Sequence, residues 1–161
     1  MIRPATTRDA EAVARIYNHY IANTTITFEE QAITSPQMAE RIGKVALASL
    51  PWLVAEHDGR VDGYAYATQW KERSAYRFSV EITVYLAPEA VGRGIGSALY
   101  EALFAELDKR GVHAAIGGIA LPNPASVALH EKLGMKQVAH FEQVGFKFGQ
   151  WLDVGYWQKT L

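Results

Sequence analysis

Three glycines at alternate positions, Gly92, Gly94 and Gly96, separate a stretch with strand character from one with helix character. Glycine lets the backbone approach a ligand closely and aim several N–H groups at one point, and the following helix adds the positive end of its dipole. Because this arrangement binds a pyrophosphate, the turn predicts a phosphorylated cofactor. The expected contacts are Gly92, Arg93, Gly94, Ile95, Gly96 and Ser97. A strand-to-helix turn without a ligand is the alternative that the spacing leaves open.

The surroundings of the turn narrow the class of cofactor. No Gly-Lys-Ser or Gly-Lys-Thr completes a loop for a nucleoside triphosphate. The preceding strand lies in mid-chain and does not open a dinucleotide-binding unit with an acidic residue about twenty positions later. ATP and NAD are therefore poor fits to this turn.

Side chains that could act as nucleophiles or metal ligands are sparse. Cysteine is absent, which excludes disulfides and a covalent cysteine acyl-enzyme. The five histidines lack the spacing of metal ligands, so we expect no metal. Two titratable candidates remain: Glu81, which points off the apolar face of its strand, and His130 on a helix rim, which titrates near neutral pH. A solvated glutamate and a structural histidine are the alternatives.

The loop at residues 70–77 could recognise a substrate. Its aromatic residues are Trp70 and Tyr76, and its cations are Lys71, Arg73 and Arg77. Such a cluster suits a small amino acid with an anionic or strongly polar side chain. A solvated hairpin loop is the alternative that composition leaves open.

Composition limits the partners. The 161 residues predict one domain over 1–161, and the net charge of -1 with interspersed signs argues against binding to nucleic acid or an anionic membrane. The N-terminus lacks the apolar core of a signal peptide, and no apolar run approaches the length of a membrane span. We therefore expect a small-molecule substrate and a cytoplasmic protein.

The residue pattern predicts an α/β (α+β) fold with a mixed, largely antiparallel central sheet flanked by helices. Strands are expected at 2–5, 52–56, 61–69, 80–86, 112–120, 136–146 and 151–158. Helices are expected at 8–21, 36–49, 94–110 and 123–133, with Ser35 as the N-cap of the second. Trp151 and Trp157 near the end are expected in the core or at a dimer interface.

Two segments carry a family resemblance. Residues 91–96 resemble the coenzyme A motif Q/R-x-x-G-x-G/A of the GNAT superfamily of N-acetyltransferases, with Val91 in place of Gln or Arg. Residues 123–135 resemble the later segment in which an asparagine contacts coenzyme A and a tyrosine serves as acid, here Asn123 and His130. Together with blocks such as 52–56, 63–67, 70–76 and 145–157, they are similar to the phosphinothricin and methionine sulfoximine acetyltransferases.

This resemblance implies direct transfer of acetyl from acetyl-CoA to the α-amino group of a small amino acid, in a homodimer. Glu81 is implied as general base through a water, and His130 as acid to the leaving sulfur or as a helper in base work. The oxyanion and cofactor contacts implied on the strand are Val84, Tyr85 and Leu86, with Asn123 added from the helix. The substrate contacts implied or suggested are Phe28, Trp70, Lys71, Arg73 and Tyr76.

Two competing functions stay open at this point. Another GNAT activity, on a polyamine or an aminoglycoside, would require an acidic pocket, whereas the loop at 70–77 is basic. A sensor that binds acyl-CoA without turnover would keep the cofactor site and lose the catalytic one.

Overall fold

The fold is built on one mixed β-sheet with helices on both faces. The computed structural model describes residues 1–161. The strands are β1 (Ile2–Pro4), β2 (Trp52–His57), β3 (Arg60–Gln69), β4 (Ser79–Leu86), β5 (Ala114–Leu121), β6 (Lys136–Lys147) and β7 (Gln150–Thr160). The helices are α1 (Ala10–Asn23), α2 (Ser35–Leu47), α3 (Ile95–Lys109) and α4 (Pro124–Lys132).

The sheet order is β1-β2-β3-β4-β5-β7-β6, and only the β4–β5 pair is parallel. The predicted fold class, a mixed and largely antiparallel sheet flanked by helices, is confirmed. No helix combines the length and the apolar character needed to cross a membrane.

Local turn and cap chemistry explains most of the element boundaries. The β2–β3 hairpin turns at Asp58 and Gly59, which both have positive φ, as the two-residue turn of a hairpin favours. Asn123 caps α4, since its side-chain oxygen accepts a hydrogen bond from the Ser126 N–H at 3.2 Å.

The prediction that Ser35 caps α2 is wrong, because Thr34 is the N-cap. The Thr34 hydroxyl accepts a hydrogen bond from the Gln37 N–H, and the Gln37 side chain accepts one from the Thr34 N–H. This reciprocal capping box satisfies two backbone donors, which a cap at Ser35 could not do with the residues that follow it. Ser35 and Pro36 consequently occupy the first turn.

Two apolar cores lie on opposite faces of the sheet. Helices α1 and α2 cover one face, where Trp52, Val54 and Tyr64 are buried. Helix α3 covers the other face, and its Leu99, Leu103 and Leu107 are fully buried, as the spacing of apolar residues predicts. Strand β4 alternates between the cores, so that Val80 and Ile82 lie under α3 and Glu81 points to the opposite face.

Strands β4 and β5 pair over only three positions and then diverge. Their register runs from Ser79 opposite Ala114 to Glu81 opposite Ile116, after which β4 pairs only with β3 and β5 pairs only with β7. The unpaired length leaves a gap in the middle of the sheet. Main-chain groups along this gap have no strand partner, and those without another hydrogen bond are available to a ligand.

Arg3 ties the first strand to the loop before α1. Its guanidinium donates to both carboxylate oxygens of Asp9, at 2.8 and 2.9 Å, and to Glu56 at 2.7 Å. Asp9 also accepts from the Thr6 N–H at 2.8 Å. These hydrogen bonds, the one from Arg3 above all, lower the pKa of Asp9.

Replacing Asp9 with Asn should lower the free energy of unfolding at pH 7 by about 2 kcal/mol, because charge-assisted hydrogen bonds of a mostly buried carboxylate are lost. The pKa of this carboxylate is lower in the folded than in the unfolded state. Its contribution to the free energy of unfolding is therefore complete above the unfolded pKa, near 3.8, and is lost as the pH falls through the folded pKa. The difference between wild type and variant in urea unfolding should therefore shrink in acid. Asp108→Asn, at an exposed position on α3, is the control and should change little.

Candidate active site

A cavity of about 260 Å³ lies where β4 and β5 diverge. Its walls come from the loop after α1, the middle of β4, helix α3, strand β5, helix α4 and strand β7. Tyr100 and His130 border it from the α3 and α4 side, whereas Phe28, Glu81 and Tyr156 border it from the opposite side. Because the sheet is open here, side chains from both faces of the sheet reach the same cavity.

Glu81 is the last residue of β4 that pairs with β5, and it lines this cavity. No hydrogen bond from a protein donor acts on its carboxylate. Burial raises its pKa, and only the more distant charge of Lys71 acts against this rise. A carboxylate that is poorly solvated and poorly hydrogen-bonded binds a proton more readily, which is the property of a general base.

His130 is 3% exposed and its ring orientation is fixed by two contacts. Nδ1 lies 2.7 Å from the Ser126 carbonyl oxygen, which can only accept, so Nδ1 carries the hydrogen. Nε2 then carries the lone pair and lies 3.3 Å from the hydroxyl oxygen of Tyr100, which donates to it. Burial lowers the pKa of His130, which favours the neutral imidazole, and Nε2 is the ring nitrogen that can accept a proton.

Two adjacent glycines in β5 make room for these groups. A Cβ at Gly117 would lie 2.8 Å from Nε2 of His130. A Cβ at Gly118 would lie 3.0 Å from the Tyr156 ring and 3.5 Å from the Glu81 carboxylate. A Gly-Gly pair within a strand signals close approach of another group, and this signal in the sequence could have located both sides of the cavity.

The backbone of β4 directs N–H groups into the gap. The Ser79 carbonyl accepts from the Trp70 N–H and the Ala87 N–H donates to the Asp62 carbonyl, so odd-numbered residues here turn their main-chain groups toward β3 and its flanks. By the two-residue alternation of a strand, Val84 and Leu86 turn theirs toward the gap. Val84 and Tyr85 line the cavity, but the main-chain groups of Tyr85 face β3.

The glycine turn lies at the other end of β4 and opens α3. Gly92 and Gly94 both have positive φ, and Gly94 is the N-cap with no side chain to satisfy the first turn. The first helical bond runs from the Ala98 N–H to the Gly94 carbonyl. The N–H groups of Gly94, Ile95, Gly96 and Ser97 are therefore left open at the helix N-terminus, where an anion is favoured.

Arg93 does not turn its side chain over this N-terminus. Its guanidinium donates to the Glu89 carbonyl at 3.1 Å, and it lines a separate surface cavity with Ile95 and Ala98. The backbone of the turn, and not its one cation, thus provides the anion-binding groups.

The predicted substrate residues divide into two groups. Phe28 lines the cavity, and Trp70 and Lys71 are near it, because Trp70 makes an edge contact with Tyr156 and Lys71 lies over the Trp70 ring. Arg73 and Tyr76 do not line the cavity: Arg73 precedes an exposed 3-10 turn at Ser74–Tyr76, and Tyr76 is the last residue of that turn. Sequence reasoning missed Tyr100, Tyr156 and Thr27, since only the tertiary structure brings these distant residues together.

Comparison with known proteins agrees with this architecture. Residues 2–155 match the model of the acetyltransferase (GNAT) domain. The chain is 41% identical over 158 residues to phosphinothricin N-acetyltransferase of Streptomyces viridochromogenes, covering 98% of this chain and 86% of that protein. It is 35% identical to the L-methionine sulfoximine/L-methionine sulfone acetyltransferase of Salmonella typhimurium, covering 99% and 94%.

A solved structure shares the fold closely. It is a GNAT superfamily phosphinothricin acetyltransferase from Sinorhizobium meliloti in complex with acetyl-CoA. The two chains superpose with a TM-score of 0.97 at 37% identity, over 100% of this chain and 88% of that one. With the matched domain spanning nearly the whole sequence, this chain belongs to the GNAT family of acetyltransferases.

Proposed function

We propose that this protein transfers the acetyl group of acetyl-CoA to the α-amino group of a small amino acid of the phosphinothricin, methionine sulfoximine or methionine sulfone type. The observation that carries the proposal is the cavity between β4 and β5, which gathers Glu81 and His130 from opposite faces of the sheet. The open N-terminus of α3 supports the binding of the coenzyme A pyrophosphate by the predicted turn residues.

The acceptor class is supported by relatives and by local charge. The similar proteins named above act on phosphinothricin and on methionine sulfoximine or sulfone. Lys71 is the cation that acts on Glu81 electrostatically, and it supports a substrate with an anionic or polar group. Phe28 and Trp70 supply apolar surface on the same side. A polyamine or an aminoglycoside would bring further positive charge toward Lys71.

Proton transfer is divided between two residues in this proposal. Glu81, through a water, removes a proton from the ammonium group so that the amine can attack the thioester carbonyl. The N–H groups of Val84 and Leu86 stabilise the carbonyl oxygen as it gains negative charge. His130 accepts the second proton of the attacking nitrogen at Nε2 and returns it to the departing thiolate of coenzyme A, so that protons balance.

We further propose one domain over 1–161 that forms a homodimer in the cytoplasm and binds no nucleic acid. An edge strand, β6, with exposed aromatic residues on it and beside it supports the dimer: Phe146, Phe148 and Trp151 are more than half exposed, whereas Trp157 is in the core. A net charge of -1 supports the absence of nucleic acid, and the lack of cysteine is compatible with a reducing compartment.

The proposed substrate class is tested by thiol release from acetyl-CoA with four amines. L-methionine sulfoximine and L-phosphinothricin should be turned over, because they present an α-amino group beside a strongly polar side chain. Spermidine and an aminoglycoside should not, since they add positive charge near Lys71. Turnover of the cationic amines alone would contradict the acceptor assignment and keep the acetyltransferase activity.

Replacing Glu81 with Gln should lower kcat by about a hundredfold or more, the usual contribution of a positioned general base. Acetyl-CoA should still raise the unfolding temperature of the variant, because the cofactor site is intact. The wild-type rate should fall as the pH drops through the raised pKa of Glu81, and the variant should lose this dependence. Glu101→Gln, exposed on α3, is the control. A protein that only senses acyl-CoA would give the thermal shift with no turnover in either form.

Replacing Gly117 with Ala should lower kcat by about a hundredfold, because the added Cβ would lie 2.8 Å from Nε2 of His130 and must displace the ring. The matched control is Gly43→Ala on α2, where an added Cβ meets nothing within 4 Å. The measurement is kcat for both variants beside circular dichroism of the folded state. Full activity of Gly117→Ala would argue against proton transfer at Nε2.

A further inference from the structure

Strand β6 has its apolar and polar faces reversed near its end. Gly145 and Lys147 are buried, whereas Val144, Phe146 and Phe148, which alternate with them, are exposed. Alternating side chains of a strand face opposite sides, so the lysine occupies the interior face. It is 1% exposed. Burying an ammonium group costs free energy, so other interactions must compensate for a lysine at this position.

The buried ammonium makes one hydrogen bond, to the loop between α1 and α2. Nζ of Lys147 donates to the Thr27 carbonyl at 2.8 Å and lies 5.1 Å from the centre of the Phe148 ring. No carboxylate is within ion-pair distance, although Glu29 and Glu30 are close enough to act on it. Burial lowers the pKa of Lys147. Its fixed partner is thus a backbone oxygen of Thr27.

Thr27 and its neighbour Phe28 line the candidate active site. Residues 24–34 have no helix or strand of their own, so contacts to other elements must fix their course. The Thr27 hydroxyl bonds the Tyr17 hydroxyl at 2.7 Å, which holds the loop to α1. The Lys147 bond to the Thr27 carbonyl attaches the same residue to β6 from the other side.

Gly145 supplies the second contact from β6 to this loop. A Cβ at Gly145 would lie 2.4 Å from the Phe28 ring, so the ring rests directly on the backbone there. The two interior residues at the end of β6 therefore contact consecutive residues of the loop. Lys147 binds the backbone of the loop, and the backbone of Gly145 packs against the Phe28 ring.

We propose that Lys147 is a positioning residue for acceptor specificity, which holds the Thr27 carbonyl and thereby fixes the Phe28 ring at the acceptor side of the cavity. The inference rests on the proposed function, since it assigns Phe28 to the amino acid and not to acetyl-CoA. Lys147 itself does not line the cavity and acts only through the loop. An apolar residue would bury more favourably at this position but would leave the Thr27 carbonyl without its donor.

The test replaces Lys147 with Met, which has similar length and no donor. The KM for the amino acid, measured with L-methionine sulfoximine and L-phosphinothricin, should rise by about tenfold, the effect of losing one charge-assisted hydrogen bond. The KM for acetyl-CoA and the unfolding temperature should stay close to those of wild type. Lys136→Met, at an exposed position of the same strand, is the matched control and should change neither KM.

An unchanged KM for the amino acid, or an equal rise in both KM values, would overturn the proposal. If Lys147→Met does not fold, Gly145→Ala is read by the same criteria, because it displaces the Phe28 ring without removing the charge. Hydrogen exchange of the amides of residues 26–29 gives a readout independent of activity. The exchange should accelerate in Lys147→Met and not in Lys136→Met. Equal exchange in the two variants would contradict the proposed positioning of the loop by Lys147, even if the enzyme acetylates these amines. If wild type turns over none of the four amines, the proposed function fails, and hydrogen exchange alone decides whether Lys147 holds the loop.

Discussion

The structure depends on the loss of pairing between β4 and β5 after three residues. Two adjacent parallel strands that stop pairing expose main-chain N–H and C=O groups in the centre of a protein, where they cost free energy unless something binds them. In this chain the exposed groups belong to Val84 and Leu86 on one side of the gap. The Leu86 carbonyl accepts a hydrogen bond from the Tyr20 hydroxyl, and the N–H groups remain for a ligand. The gap thus offers main-chain N–H groups to a ligand and opens the sheet from one face to the other.

Burial acts on the two titratable groups of the cavity in opposite directions. It raises the pKa of Glu81 and lowers that of His130, so each favours its neutral form more than it would in water. A raised pKa makes the Glu81 carboxylate a stronger base, and a neutral imidazole is the form of His130 that can accept a proton. Both shifts suit a reaction that removes protons from nitrogen and returns one to sulfur. The Tyr100 hydroxyl, whose pKa burial raises, remains protonated and keeps the His130 lone pair oriented.

The residues on the two sides of the site are held in place in different ways. Tyr100 and His130 lie on helices packed against the sheet, and their positions follow from the core around Leu99 and Leu103. On the acceptor side, Thr27 and Phe28 lie in a loop that has no regular structure. A loop can change its contacts without disturbing the core, so relatives with this fold can differ in acceptor while they retain the sheet and the turn. Hydrogen bonds hold this loop in place: Tyr17 and Lys147 bond Thr27, Tyr17 and Arg41 bond Glu29, and Asn18 bonds the backbone of Ile33.

Local patterns in the sequence were sufficient for the sheet class, the four main helices and the glycine turn. The leucine spacing of α3, the turn at Asp58 and Gly59, and the cap at Asn123 each act within a few residues, so the local sequence is sufficient to specify them. The cap of α2 was missed because two reciprocal hydrogen bonds between Thr34 and Gln37 outweigh the favourable Ser35-Pro36 dipeptide beside them. Glu81 and His130 could be named as candidates because their residue types suit proton transfer. Only the tertiary structure decided that they share a cavity with Tyr100 and Tyr156 and that Arg73 and Tyr76 lie outside it. It also decided that Lys147 of β6 faces inward. These outcomes depend on contacts between residues far apart in the chain, which local periodicity does not encode.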